Sequence, residues 1–263
     1  MSKLIQRIER LGKDTPAPLG FGAATRRKPA PTMVLIASTA DANAAAKLQD
    51  VSVDGVLYTA ENSKGADLAK ASSNLKDIPW GIRVASPTAD QVRDLVEAGC
   101  DFVSLTGLTA SLGALQNDEL GKFLVVPADM KEEHAHSLEV LPVDAATFAD
   151  TIALPLNLEG LMKLAAVRGE IGCPFLIPVD GILTAWELEC LRDIGVEGII
   201  VDLASTDVEG VTALAKAILE LPRRRSRNEP SSPSLPRVTA QTQAGEADDD
   251  DDDDYEDGDD DSA

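Results

Sequence analysis

The hydrophobic pattern of the chain alternates short apolar runs with longer amphipathic stretches. Eight runs rich in Val, Ile and Leu are bounded by turn residues, as is typical of strands buried on both faces. Between them lie stretches whose apolar residues recur every three or four positions, the period of a helix that packs on one face. The predicted strands are 33–38, 54–58, 80–85, 101–105, 123–127, 143–148, 174–179 and 197–203.

Alternate strands open with the same signal, an acidic residue placed one position before the apolar run, as in "VSVDGVLYT" and "IGVEGIIVD". Strands that alternate with helices predict a parallel sheet covered by helices, and at this length we expect a single closed (β/α)8 TIM barrel. An open doubly wound sheet is the alternative, but "IASTADANAAA" after the first strand lacks the glycine-rich turn typical of it. The four acids would lie at the N-terminal end of the barrel, where we assign them no catalytic role. They are Asp54, Asp101, Asp144 and Glu197.

The helical stretches carry start and stop signals. Thr88, Asp129, Asn157 and Thr184 stand where an N-cap is expected, and Gly195 stands where a helix would end. The stretch "LIQRIERLG" near the N-terminus predicts an extra helix against the lower end of the barrel. The helical patterns after the first, second and fourth strands are shorter and weaker than the others.

We predict three regions: an N-terminal helix and lead-in loop over 1–32, the barrel over 33–222, and a tail over 223–263. The tail has almost no apolar residues and is basic at first and then strongly acidic, so we expect it to be disordered. Within 248–261, 12 of 14 residues are acidic. A solvated tail is one interpretation, and a contact arm for a basic protein partner is the other.

The formal net charge of −21 is not confined to the tail, because the first 222 residues hold 19 basic and 31 acidic residues. An acidic body argues against binding to nucleic acid, and no apolar run reaches the roughly 18 residues of a membrane span.

Widely spaced cysteines argue against a disulfide framework or zinc site, so we expect buried thiols in a soluble, cytoplasmic protein. His134 and His136 are two positions apart on a predicted helix, and we expect them to be solvated. The cysteines are Cys100, Cys173 and Cys190.

Arg83 stands inside an apolar strand, "GIRVA", where a charged residue needs a partner. Strand alternation turns Ile82 and Val84 toward the outer helices and Arg83 into the barrel, and it likewise turns Asp202 inward. Two interpretations stay open. Arg83 forms a structural ion pair with Asp202, or its planar guanidinium binds a carboxylate or phosphate of a ligand.

The stretch "PFLIPVDGILTAWELECLRDIGVEGIIVDLAS" resembles the last two βα units of phosphate-binding (β/α)8 barrels. That superfamily includes thiamine phosphate synthase, flavin-dependent oxidoreductases and isomerases of histidine and tryptophan biosynthesis. Gly181 and "WELECLRDIGVEGIIV" carry the resemblance, which implies the barrel fold and a site where glycines let backbone N–H groups approach a phosphate. Asp180 and Asp202 replace two of those glycines. Their carboxylates would repel a phosphate, so the resemblance does not predict an ordinary phosphate site.

Two classes of function remain. The first is a metal-assisted lyase or isomerase in which Arg83 binds a small anion, while Asp180 and Asp202 hold Mg²⁺ or act as the general base. The second is a non-catalytic barrel that binds a ligand, or a partner through its acidic tail. The predicted mouth lacks His, Lys and Cys, which favours the second, whereas the barrel architecture favours the first. Substrate, flavin requirement and oligomeric state stay open. The other candidate substrate-binding residues are Ser104, Thr106, Gly181 and Ser205.

Overall fold

The computed structural model describes residues 1–12, 31–59, 75 and 77–222. Eight parallel strands form a closed barrel in which each strand pairs with its neighbours in sequence and the last pairs with the first, as predicted. A two-residue strand, Ile152–Ala153, adds to the seventh barrel strand and was not predicted. The barrel strands are β1 Val34–Thr39, β2 Gly55–Tyr58, β3 Trp80–Val84, β4 Phe102–Leu105, β5 Gly121–Val126, β6 Ala145–Phe148, β7 Phe175–Asp180 and β8 Gly198–Asp202.

The longer helices begin at the predicted caps. Thr88, Asn157 and Thr184 each accept a hydrogen bond from a backbone N–H three residues later, and Gly195 ends its helix with a φ of 94°. The weak patterns after β1 and β4 form only short turns of helix. The helices are α1 Lys3–Glu9, α2 Ala42–Ala45, α3 Ala89–Glu97, α4 Glu132–Ser137, α5 Leu158–Glu170, α6 Ala185–Ile194 and α7 Val208–Glu220, with 3₁₀ turns at Ala46–Leu48, Leu112–Leu115 and Leu138–Val140.

One predicted cap is wrong. Asp129 does not cap α4, because the N-cap of that helix is Lys131 and no side chain caps it. Asp129 lies instead in a turn in which the N–H of Met130 donates to the carbonyl of Pro127. The helical pattern after β2, the Pro/Gly-rich lead-in between α1 and β1, and the tail from residue 223 lie wholly or largely outside the described residues.

The strands bury both faces, and their alternation separates two cores. Ile82 and Val84 pack in the outer core, between the strands and the helices, whereas Phe102 and Ile200 belong to the inner core on the barrel axis. This is the orientation that the alternation of β3 and β8 predicts. The rings of Phe102 and Phe123 stack across the inner core with centroids 5.0 Å apart.

The N-terminal end of the barrel is closed by α1. Leu4, Ile5 and Ile8 are buried in the inner core. Asp101 holds the start of the helix, because its carboxylate accepts hydrogen bonds from Ser2 Oγ at 2.7 Å and from the next two backbone N–H groups at 2.7 and 3.0 Å. The predicted extra helix is therefore a plug.

The other three acids that open alternate strands have a structural role. Each carboxylate accepts a hydrogen bond, at 2.8–2.9 Å, from a backbone N–H at the start of the preceding strand. Burial raises the pKa of Asp54, against the hydrogen bond it accepts and the charge of Arg7. These contacts hold neighbouring strands together at the closed end of the barrel. Chemistry is expected at the opposite end, where the C-terminal ends of the strands lie. The pairs are Asp54 with Leu35, Asp144 with Lys122, and Glu197 with Phe175.

Candidate functional site

The polar side chains of the barrel interior lie in its C-terminal half. The strand register accumulates a stagger of about eight residues around the barrel, which sets inward side chains of alternate strands in layers of four. From the interior toward the opening, the layers are Ile36, Gly81, Phe123 and Leu176; Leu57, Ser104, Thr147 and Ile200; Ser38, Arg83, Val125 and Pro178; and Thr59, Thr106, Ala149 and Asp202.

Exposure increases through these layers. The first two layers are buried, the third is half-buried apart from a buried Ser38, and the fourth is exposed apart from a half-buried Thr59. The last two layers therefore surround an opening at the C-terminal ends of the strands, which we call the funnel, and the buried second layer forms its floor. This is the end at which (β/α)8 barrels carry their active sites.

Arg83 lies in the wall of this funnel, and no described residue forms a hydrogen bond or ion pair with it. Its Nε is buried and unpaired, and within the described residues the guanidinium has neither a hydrogen bond nor an ion pair. Burial lowers the pKa of Arg83, while the charge of Asp202 acts in the opposite direction. An arginine stays protonated despite such a shift. The funnel wall therefore presents a guanidinium that no described residue pairs directly, with Asp202 as a more distant negative charge.

The predicted Arg83–Asp202 ion pair does not form. Two strands, β1 and β2, separate β3 from β8 in the barrel, and Asp202 lies one layer nearer to the opening. Its carboxylate is exposed, and Oδ1 accepts a hydrogen bond from the N–H of Ala204 at 3.0 Å. The structure therefore does not support the interpretation of Arg83 as half of a structural ion pair with Asp202.

Two hydroxyl groups below Arg83 are also unpaired. Ser104 on β4 and Thr147 on β6 are each 1% exposed, and neither side-chain oxygen has a hydrogen-bond partner. An unsatisfied buried hydroxyl costs about 1–3 kcal/mol, so two in one layer beneath a free guanidinium form an unusual group. Ser104 was a predicted site residue. Thr147 was not, although its inward position within the apolar run "DAATFA" is a signal that the sequence contains.

The predicted acidic pair lies on the opposite side of the funnel. Asp180 and Asp202 are the last residues of the adjacent strands β7 and β8, and both are exposed. Gly181 follows directly with a φ of 116°, a left-handed conformation that favours glycine. Ser205 donates from Oγ to the carbonyl of Asp202 at 3.3 Å. Thr106 is exposed at the end of β4, on the side of Arg83.

The loop after β8 has few backbone N–H groups to offer a ligand. Asp202 and Asp207 supply most of the acceptors, since their side-chain or backbone oxygens take five of the N–H groups in this segment. A sixth N–H donates to the backbone of Ser38 on β1. Three further N–H groups, those of Asp207, Val208 and Glu209 at the start of α7, have no acceptor in the described residues. An anion could approach only these three in this segment. The six donors are Leu203, Ala204, Ser205, Thr206, Gly210 and Val211.

The remaining candidate groups lie outside the funnel. Glu132, His136 and Glu170 are exposed on α4 and α5, with potential ligand atoms within 4.8 Å of one another. Glu132 and His136 are four residues apart on one helical face, and both are exposed, in agreement with the solvated helix surface that the sequence predicts. Burial raises the pKa of Cys100 to about 12, which agrees with an unreactive thiol. None of the helices in the described segments has the length and apolar character to cross a membrane.

No protein-family model matches the chain, and no curated protein matches it either. Solved structures do. A thiamine phosphate pyrophosphorylase from Pyrococcus furiosus covers 72% of this chain with 96% of its own, at 15% identity and a TM-score of 0.53. KGPDC from Streptococcus mutans covers 72% with 96% of its own, at 14% identity and a TM-score of 0.54. A 3-hexulose-6-phosphate synthase covers 72% with 99% of its own, at 15% identity and a TM-score of 0.55.

The fold is the (β/α)8 barrel that these solved structures share. The predicted resemblance is thereby confirmed at the level of the fold, and identities this low carry no more than the fold. The position of the funnel at the C-terminal ends of the strands also follows from this architecture.

Proposed function

We propose that this chain binds a small anionic metabolite in the funnel and acts on it as a metal-assisted lyase or isomerase. The observation that carries the proposal is the guanidinium of Arg83, which is half-buried, unpaired and in the wall of an opening. A buried charge without a partner is costly in a protein that only has to be stable. A ligand anion would supply the missing partner through charge-assisted hydrogen bonds.

Asp180 and Asp202 are suited to Mg²⁺, because two neighbouring, exposed carboxylates at the ends of adjacent strands offer the oxygen ligands that this ion takes together with water. A bound Mg²⁺ would stabilise negative charge that develops on the ligand. A carboxylate of this pair that does not bind Mg²⁺ can accept a proton from the ligand as general base. Ser104 and Thr106 would orient the ligand from the opposite side, and Gly181 and Ser205 would border it near the acids.

The structural neighbours support an anionic ligand of metabolite size. Two of them are named for phosphorylated compounds, a thiamine phosphate and a hexulose phosphate. The alternative is a barrel that binds but does not catalyse. It is favoured by the absence of His, Lys and Cys from the four described layers of the barrel interior.

Ligand binding tests the proposal through Arg83. We expect a carboxylate from the set pyruvate, oxalate and oxaloacetate, added with Mg²⁺, to raise the thermal unfolding midpoint of the full chain. At 100 times its Kd a ligand adds about 2.7 kcal/mol, which is roughly 5–10 °C for a domain of this size. Arg83→Met should lose the shift without itself being less stable, since no ion pair is broken. Inorganic phosphate and FMN complete the panel.

The matched control is Arg93→Met, because Arg93 is exposed on α3 and its ion pair with Asp90 lies away from the funnel. This variant should keep the full ligand shift. Proton exchange separates the two candidate functions: the enzyme should exchange the C–H protons of a bound oxo acid with D₂O, and Asp180→Asn or Asp202→Asn should stop it. Binding without exchange would favour the non-catalytic barrel. An Arg83→Met variant that binds as wild type does would refute the proposal.

A further inference from the structure

We propose that the anionic group is a carboxylate held below the strand ends, in a recess formed by Arg83, Ser104 and Thr147. The proposal rests on the proposed function and narrows it to one class of ligand: small carboxylic acids, in preference to phosphate esters. It also adds Thr147 to the binding residues. We call the space bordered by these three side chains the recess.

The recess is defined by three unsatisfied donors on β3, β4 and β6. Arg83 and Ser104 are register partners on β3 and β4, and Thr147 lies in the same layer as Ser104, on β6. Nε of Arg83 and the hydroxyl oxygens of both other residues are buried without a hydrogen-bond partner. Every other inward side chain in these two layers is apolar except Ser38, whose hydroxyl donates to the carbonyl of Val201 at 3.4 Å. The missing acceptors are therefore concentrated on one side of the funnel.

A carboxylate matches this set of donors. Its two oxygens accept hydrogen bonds in one plane, and an N–H of a guanidinium with two hydroxyl groups can satisfy both oxygens. The layer beneath the recess is filled by Phe123, Ile36 and Leu176, all buried, and Gly81. The recess therefore cannot extend below the layer of Ser104 and Thr147. A carboxylate bound by these donors would leave the rest of the ligand in the funnel.

A phosphate ester fits this arrangement poorly. A phosphate at neutral pH carries nearly two negative charges and three oxygens that need donors, which related sites supply from backbone N–H groups. Here six of the nine N–H groups of residues 203–211 already have acceptors, and the carboxylates of Asp180 and Asp202 at the rim on the same side would repel a dianion. A carboxylate in the recess instead leaves those acids free for a cation, either Mg²⁺ on the ligand or a positive group of the ligand itself.

The unsatisfied hydroxyl groups give the proposal a second consequence that does not need a ligand. Removing a buried hydroxyl that has no partner should stabilise the free protein, because its desolvation is not offset by any bond. Thr147→Val and Ser104→Ala are therefore expected to raise the unfolding midpoint while they weaken ligand binding. A residue that serves only stability would not behave in this way.

The test compares two threonines of the same kind. Thr32, just before β1 at the closed end, also has a buried Oγ without a partner, so Thr32→Val is the matched control for Thr147→Val. Calorimetric titrations of the full chain would use pyruvate, oxalate, oxaloacetate and inorganic phosphate, each with Mg²⁺ at constant ionic strength. We expect both threonine variants to unfold at a higher temperature. Only Thr147→Val should raise the Kd of the bound carboxylate, by about tenfold or more.

The outcomes separate this inference from the proposed function. If inorganic phosphate binds as tightly as every carboxylate, or if Thr147→Val and Ser104→Ala bind as wild type does while Arg83→Met does not, the recess is refuted and the anion site at Arg83 stands. If no probe binds and Arg83→Met has no effect on any titration, both proposals fail. Weaker carboxylate binding in Thr147→Val and Ser104→Ala, with Thr32→Val unchanged, supports the carboxylate recess.

Discussion

At the scale of single residues, the inward face of β3 combines two opposite demands. Gly81 leaves room for the ring of Phe102, since a Cβ at this glycine would lie 2.5 Å from ring atom Cδ2 and would also clash with the carbonyl of Phe102. Two positions later, Arg83 fills the funnel wall with a long charged side chain. One strand thus serves the packed core at one end and the open site at the other.

The packing at Gly81 can be tested by one methyl group. We expect Gly81→Ala to lower the free energy of unfolding by about 1–3 kcal/mol, because the backbone of β4 must move to make room. Gly169→Ala adds the same methyl group on α5, where nothing lies within 4 Å, and should stabilise by up to about 1 kcal/mol. Urea unfolding of both variants measures the difference. Equal effects would mean that β3 and β4 are less tightly packed than the structure indicates.

The orientation of Arg83 could be predicted from the sequence, but its lack of a partner could not. Orientation depends on strand alternation, and Ile82 and Val84 fix that within five residues. Whether Arg83 has a partner depends on which side chains face it across the barrel. That arrangement is set by the register of all eight strands once the barrel closes. The same limit explains Thr147, whose polar character is visible in the sequence while its unsatisfied hydroxyl is a property of the surrounding walls.

At the scale of elements, caps were the more reliable signals and short helices the less reliable ones. Thr88, Asn157 and Thr184 were predicted as caps because each precedes a long amphipathic stretch, and all three accept the expected hydrogen bond. The prediction of Asp129 as a cap was wrong because α4 has only six residues. A helix this short contains too few apolar positions for their period to locate its start. The unpredicted strand Ile152–Ala153 is too short to carry any period.

The start of α6 joins two segments through one carboxylate. Glu187 Oε2 accepts hydrogen bonds from the N–H of Thr184 at 2.8 Å and from its hydroxyl at 2.7 Å, while Oε1 accepts one from the N–H of Leu156 at 2.6 Å. Burial raises the pKa of Glu187, but these hydrogen bonds outweigh it, so the pKa lies below its usual value of 4.5. The ionised carboxylate therefore stabilises the folded state.

The lowered pKa of Glu187 predicts a pH-dependent effect of Glu187→Gln. The glutamine side chain would place an N–H donor beside the N–H groups from which Glu187 now accepts hydrogen bonds. We therefore expect the free energy of unfolding to fall by about 1–2 kcal/mol near neutral pH. A group with a lowered pKa contributes fully above its unfolded value and loses that contribution as the pH falls through the folded value. The difference from wild type should thus be constant from about pH 8 to 5 and shrink below 4.5. Denaturant unfolding at several pH values measures it.

The control for this prediction is Glu189→Gln, on the same helix. Within the described residues the carboxylate of Glu189 accepts no hydrogen bond, so its replacement should change stability little at any pH. A Glu187→Gln effect that persists unchanged at low pH would contradict the role of the ionised carboxylate.

At the scale of the whole molecule, the barrel has a closed end rich in satisfied contacts and an open end with unsatisfied ones. Asp101 and α1 complete the closed end, whereas Arg83, Ser104 and Thr147 leave donors without acceptors near the open end. Of the five buried side-chain atoms without a partner in the described residues, Thr32 Oγ1 lies at the closed end and the other four, which include Thr206 Oγ1, lie toward the open end. This distribution associates the open end with most of the unsatisfied groups. It also indicates that binding and stability compete at the open end.

The strongly negative charge of the chain sets the last prediction. A net charge of −21 makes the folded state repel itself, and added salt screens this repulsion between exposed charges. We therefore expect the thermal unfolding midpoint to rise between about 20 and 300 mM sodium chloride at pH 7. The same salt step should raise it less at about pH 5, closer to the sequence pI of about 4.3, where fewer carboxylates are ionised. A midpoint that falls with salt at pH 7 would mean that attractive pairs outweigh the repulsion. Three of the seven ion pairs in the described segments have both side chains exposed and contribute little, which argues against that result.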